Sequence, residues 1–412
     1  MKALTKISIG FLALAAAALW FTSCSSEDVA SGTNQGKMSS LTLTINTGKS
    51  MGSRATDWTT DPAGSSIKDT ENKINRVAIG IFSNTGNVKT IVELTPGTTG
   101  TNSLTQADAN NATAKIVTSS LVNNDEVLVA INAPSGKFTG CQSKSDFMAK
   151  TETAAEALAN SSDAQVADNI PMFGSASLAG TSSSFTATVS VIHMIAKVSL
   201  TSLKVDFKAG SAYADAEFTP KAVFLINVPN SFQFDNNNAW LSAGYEHGWG
   251  SFATNYDATT ENTNASTTFA GSTFEKYLTT SELTGKTLKG AVGGSDDTYD
   301  KNVFFYTMPN GQDGDKATKL VIAGQFKATG VDKPVYYPLF LNATVNSAGT
   351  GYDPAVSGSD AKKVYPNKNY VCTVVIRNIG ADSPNTNLDP QTATISISVK
   401  DFETANQTTE FN

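Results

Sequence analysis

Apolar and polar residues alternate with a period of two in short bursts along most of the chain, and the first clean burst is Leu41-Thr42-Leu43-Thr44-Ile45. Such alternation predicts strands with one face in a core. Ile74 to Phe82 and Val88 to Leu94 are apolar and β-branched, and Ser83-Asn84-Thr85-Gly86-Asn87 between them reads as a hairpin turn. Ala114 to Thr118 and Glu126 to Asn132 add strands, and Phe185 to Leu200 alternates well and continues toward Phe207. In the second half, strands are predicted at Ala222 to Val228, Val303 to Met308, Leu320 to Phe326, Val335 to Leu341, Tyr370 to Arg377 and Thr392 to Val399. A helical period occurs once, from Asp146 to about Ala159, with Ser145 as N-cap and Phe147, Thr151, Ala154 and Leu158 on one face. The expected fold is mainly β, with two β-sandwich domains and one short helix in the N-terminal domain. A length of 412 residues fits two such domains, placed at 55–204 and 205–412.

Ahead of the first burst the pattern changes. Lys2 and Lys6 precede an apolar run from Ile7 to Phe21, then Thr22-Ser23-Cys24. The run is short for a membrane span and has the order of a signal peptide, residues 1–23. Small residues directly before a cysteine resemble a lipobox, in which cleavage leaves Cys24 as the lipid-bearing N-terminus, carrying fatty acids such as palmitate. An ordinary secretory signal cut near Ser23 is the other reading, and both export the chain. Residues 24–54 then form a lipidated propeptide whose strand is Leu41, Leu43 and Ile45. Arg54 follows it in a Gly/Ser-rich stretch, one of three arginines among thirty basic residues, so the Arg54–Ala55 bond is a candidate protease site.

Net charge is −7, charged residues are 16% of the chain, and no basic run exceeds Lys362-Lys363. A nucleic-acid footprint is missing, and membrane contact is expected only through the precursor lipid. With two histidines, His193 in an apolar strand and His247 in a loop, a histidine metal site or catalytic triad has few ways to form. No catalytic, metal or cofactor residue is assigned, and the chain is not expected to be an enzyme. Asp313-Gly314-Asp315 and Asp296-Asp297 lack the spacing of a calcium loop. Beyond Cys24, Cys141 and Cys372 read as unpaired, with an interdomain disulfide as the alternative. The stretch Trp240 to Phe252, with Trp240, Tyr245 and Trp249, is a possible ligand loop for glycan stacking or an interface; packing over the sandwich is the plainer reading.

Together, the lipobox at Cys24, the strand and arginine at Leu41 to Arg54, Ile170-Pro171-Met172-Phe173-Gly174, the strand Val189 to Leu200, Asn367-Lys368-Asn369-Tyr370 and the strand Ile395 to Phe402 resemble the fimbrillin family of Bacteroidia, the major fimbrial subunits of type V pili. The resemblance implies export as an outer-membrane lipoprotein, cleavage after Arg54 by an arginine-specific surface protease, and donor-strand exchange into an extracellular fimbrium supporting adhesion or biofilm formation. Its partners would be further copies of the chain, tip and anchor subunits, and a host or bacterial surface ligand. A donor is expected within 391–412, either the run Ile395, Ile397, Val399 and Phe402 or the tail with Phe411. Alternatives are a tip or anchor subunit, and a monomeric glycan-binding lipoprotein that keeps its lipid.

Overall fold

The computed structural model describes residues 38–47, 70–108, 110–159, 165–235, 244–248, 272–279, 286–290, 298–299, 303–348, 350–388 and 393–401. The first half contains β1 (Met38–Thr47), β2 (Val77–Phe82), β3 (Val88–Leu94), β4 (Ser103–Asp108), β5 (Asn111–Ser119), β6 (Glu126–Ile131), β7 (Thr151–Thr153), β8 (Met172–Ser177), β9 (Ala179–Thr181) and β10 (Ser184–His193). All but β7 join one sheet in the order β3-β2-β6-β8-β10-β1-β5-β4, with β9 beside β10. The sheet folds over itself where β8 meets the end of β10, and its two leaves close on a shared core that includes Ile79, Val129, Leu43, Ile116 and Val189. Close approach at this fold explains Gly174 of the Ile170 to Gly174 motif, because a Cβ there would lie 2.4 Å from the Ser190 carbonyl oxygen. The β2–β3 hairpin forms at its expected turn, with Gly86 at φ 86° and the Ser83 N–H donating to the Asn87 carbonyl at 2.8 Å.

The expected single helix is instead two five-residue helices, α1 (Lys144–Met148) and α2 (Ala154–Leu158), with β7 between them. Each starts at a capping box, Ser143 with Asp146 and Thr153 with Glu156, so the first N-cap is Ser143 and not Ser145. The intervening residues leave the helical path because their backbone pairs with a strand about eighty positions later, which no local pattern reveals.

The run Phe185 to Leu200 is likewise two strands. β10 ends at His193, the chain turns through Met194 and Ile195, and β11 (Ala196–Val205) enters a different sheet. The later strands are β12 (Glu217–Ile226), β13 (Ser231–Gln233), β14 (Tyr245–His247), β15 (Val303–Thr307), β16 (Lys319–Ala328), β17 (Val331–Phe340), β18 (Lys368–Ile376) and β19 (Ala393–Asp401), besides several two-residue strands. One sheet runs β15-β11-β18-β19 and a second runs β12-β16-β17. Both contribute side chains, among them Val198, Val374, Phe218 and Ile322, to a core continuous with the outer face of β2 and β6. Two strands exceed their expected length because proline does not break them. Pro220 of β12 sits at a register shift, and Pro334 and Pro338 lie on β17, an outer strand, where a missing N–H costs no ladder bond. No helix among the described residues is long and apolar enough to cross a membrane.

Candidate functional site: the slot filled by the first strand

The alternation of β1 becomes a strict inside-outside pattern. Ser39, Leu41, Leu43, Ile45 and Thr47 are buried, while Ser40 and Thr42 are exposed. β1 is an interior strand of its sheet. It pairs antiparallel with β5, with Met38 opposite Ser119 and Asn46 opposite Asn111, and parallel with β10, with Ser40 opposite Ser184 and Thr47 opposite Val191. The ends are tied as well: the Ser40 N–H donates to the Ser183 carbonyl and the Thr47 N–H to the Asn110 carbonyl, both at 2.8 Å.

The slot walls fit the side chains. Leu43 lies level with Ala114 on one side and Ala187 on the other, and Ile45 with Ala112 and Val189; Leu41 meets the bulkier Ile116 and Phe185. Leu41, Leu43 and Ile45 are each 0% exposed. Burying an aliphatic side chain of this size stabilises by about 1.5–3 kcal/mol. Without β1 the sheet would be cut into β3-β2-β6-β8-β10 and an isolated β5-β4 hairpin, a pair too small to stand in water. The slot therefore demands a strand.

Beside the slot, the segment that leads into β2 is held by buried polar groups. The Lys197 ammonium donates to Glu71 Oε1 at 2.9 Å, and the Tyr306 hydroxyl donates to the same oxygen at 2.5 Å. His193 Nε2 lies 3.2 Å from the Glu71 carbonyl oxygen, while Nδ1 and the His193 N–H both face Asn367 Oδ1. Burial pushes the His193 imidazole down to about 4, partly offset by its bonds to Glu71 and Asn367. A ring so held is structural at neutral pH. Asn72 Nδ2 donates to Asn110 Oδ1, so Asn110 touches both the end of β1 and the start of the later chain. This cluster was invisible in the sequence, since Glu71 lies in a polar stretch and its partners are 122 to 235 positions away.

Of the other candidates, Cys24, Arg54 and Ala55 lie outside the described residues. β19 pairs antiparallel with β18 along its whole length, placing Ile395 opposite Val374, Ile397 opposite Cys372 and Val399 opposite Tyr370; Phe402 and Phe411 lie outside. Ile397 is buried. In the aromatic loop, Trp240 and Trp249 lie outside, whereas half-buried Tyr245 belongs to β14 with the Lys316 ammonium 5.5 Å from its ring centre. Burial raises the Tyr245 hydroxyl pKa. His247 is buried, its Nδ1 accepting from the Asn227 N–H. Cys141 and Cys372 are buried free thiols, and burial pushes Cys372 up to about 12, far from a reactive thiolate.

No family profile matches the chain, and no curated protein matches it. Solved structures share its fold. A fimbrilin from Porphyromonas gingivalis is 15% identical at a TM-score of 0.54, covering 90% of this chain and 99% of its own. A candidate cell adhesion protein from Parabacteroides distasonis is 13% identical at 0.57, covering 89% and 99%. Another from Bacteroides eggerthii is 14% identical at 0.55, covering 90% and 98%.

Proposed function

We propose that the chain is a structural subunit of a fimbrium of the fimbrillin type, of the stalk class, and that the β1 slot is its polymerisation site. The observation that carries this reading is the position of β1: an interior strand, paired on both sides and buried along one face, that lies N-terminal to the Arg54–Ala55 bond. Cutting that bond makes β1 a separate peptide held by non-covalent bonds alone. Its departure would bare the edges of β5 and β10 beside an apolar groove, an arrangement that captures an extended strand from another chain. The fold shared with a fimbrilin and with candidate adhesion proteins supports the same reading.

In this scheme Cys24 carries the precursor lipid to the outer membrane, an arginine-specific surface protease releases the body as an extracellular subunit, and the region 391–412 of a second copy fills the slot. Frames agree: Ala393, Ile395, Ile397 and Val399 repeat the spacing of Ser39, Leu41, Leu43 and Ile45. Having both a removable strand and a donor region favours a stalk subunit over a tip or an anchor.

The test treats purified precursor with an arginine-specific protease. A new N-terminus at Ala55 and detergent-resistant ladders on unboiled gels are expected, and both should vanish in Arg54→Ala. Ladders from Arg54→Ala, or from a cleaved chain lacking residues 391–412, would overturn the scheme.

A further inference from the structure

Among the described residues, a single strand ladder joins the part of the chain before His193 to the part after it. It is the β7–β13 clasp, where Thr151 faces Gln233, Glu152 faces Phe232 and Thr153 faces Ser231. Backbone bonds extend it at both ends, from the Ala154 N–H to the Asn230 carbonyl and from the Phe234 N–H to the Lys150 carbonyl, each at 3.0 Å. At its centre is a misfit: Glu152 is 0% exposed, and neither carboxyl oxygen has a hydrogen-bond partner.

Directly opposed residues of an antiparallel pair share a face, so Glu152 stands beside Phe232. That ring packs on Phe234, which packs on Phe138, with centroids 5.1 and 5.4 Å apart. A carboxylate in such a place has lost water and gained nothing in return. The neutral acid fits.

We infer that the clasp is a proton-operated joint: with Glu152 protonated the two halves of the chain are tied through β7 and β13, and ionisation of Glu152 drives that ladder open. The charged groups around Glu152 agree with this sense. Glu156 on α2 opposes ionisation, Lys137 from the loop after β6 favours it, and the Lys137 ammonium is already engaged by Glu156 at 2.8 Å. β13 contributes Ser231, Phe232 and Gln233, none of which titrates. Burial, then Glu156, raise the Glu152 carboxyl from 4.5 to about 8. Between those values the open form has released a proton that the closed form still holds. Closure is therefore complete below about pH 4.5, weakens as pH climbs, and weakens no further above about pH 8.

Hydrogen exchange on the full chain reads the joint directly. After correction for the intrinsic pH dependence of exchange, the opening constant at the Ala154 and Phe234 amides should rise about tenfold per pH unit from about pH 5 to 8. In Glu152→Gln, which stays neutral, it should be flat. Equal slopes in the two proteins, or a flat wild type, would overturn the inference. Glu156→Gln keeps an acceptor for the α2 cap while removing the neighbouring charge, so it should lower the upper limit of the wild-type window while the lower limit, set by the open form, stays. An upper limit that stays in place would also overturn the inference, whatever the folding of Glu152→Gln.

Discussion

β1 and β19 carry nearly the same code, with Leu41, Leu43 and Ile45 in one and Ile395, Ile397 and Val399 in the other at every second position, yet they are used differently. β1 has a neighbour on each side, β10 and β5, whereas among the described residues β19 has one, β18. A strand moved from the β19 position to the β1 position of another copy would surrender one ladder and complete two. Each ladder bond contributes only about 1 kcal/mol net, but a strand of this length makes several. This difference supplies a direction for the proposed exchange once β1 is no longer covalently attached.

The broadest way to break the comparison is deletion. A chain without residues 38–47 should lose cooperative unfolding and near-ultraviolet circular dichroism from the first sheet, and a peptide of that sequence added in trans should restore them. A chain ending at residue 388 should keep a cooperative transition. If both deletions behave alike, position within the sheet is not what distinguishes the strands.

Point substitutions sharpen it further. Leu43→Ala, between Ala114 and Ala187, should cost about 2–5 kcal/mol in chemical denaturation, with Ile397→Ala at the lower end because an outer strand relaxes around a cavity. An equal or larger cost at Ile397 would reverse the ranking. Gly174→Ala tests the fold between the two leaves, next to β10; overpacking against the Ser190 carbonyl should cost about 1–3 kcal/mol. A neutral result would mean the leaves separate easily.

A smaller effect tests whether the neighbours of the two strands are coupled. His193 ends β10, the neighbour of β1, and bonds to Asn367 just before β18, the neighbour of β19. Its folded-state pKa is depressed from 6.5 to about 4, so the unfolded chain binds the proton first as pH falls. The His193 contribution is complete above about pH 6.5 and is lost progressively down to about pH 4. Thermal melts of His193→Gln should show a shallower acid slope than the wild type. An unchanged slope would remove His193 as the link.

How much of this was legible follows from what each element depends on. β1, β3 and β19 were readable because their patterns are local, and the β2–β3 turn because Gly86 advertises its positive φ. β4 is not legible because Ser-Leu-Thr-Gln-Ala-Asp offers little alternation; it is a strand because β5 pairs with it. The split at Met194 and Ile195 could not be placed from the pattern, since Met194, Ile195 and Ala196 continue the apolar character of both strands while the pairing partners change. For the candidate site, the buried face of β1 was visible and its interior position was not. Glu152 does not stand out in the sequence because nothing near it announces that Phe232 seals it.

The two ladders of β1 also determine how a joint built in that slot would bear load. β10 runs with the strand and β5 runs against it, and both are bonded to it along nearly its whole length. Pulled along its own axis, a strand held in this way loads all those bonds together in shear, and they must fail almost at once. Peeled sideways from one end, it would lose them in turn. A filament linked through this slot would therefore resist tension far better than torsion or local fraying.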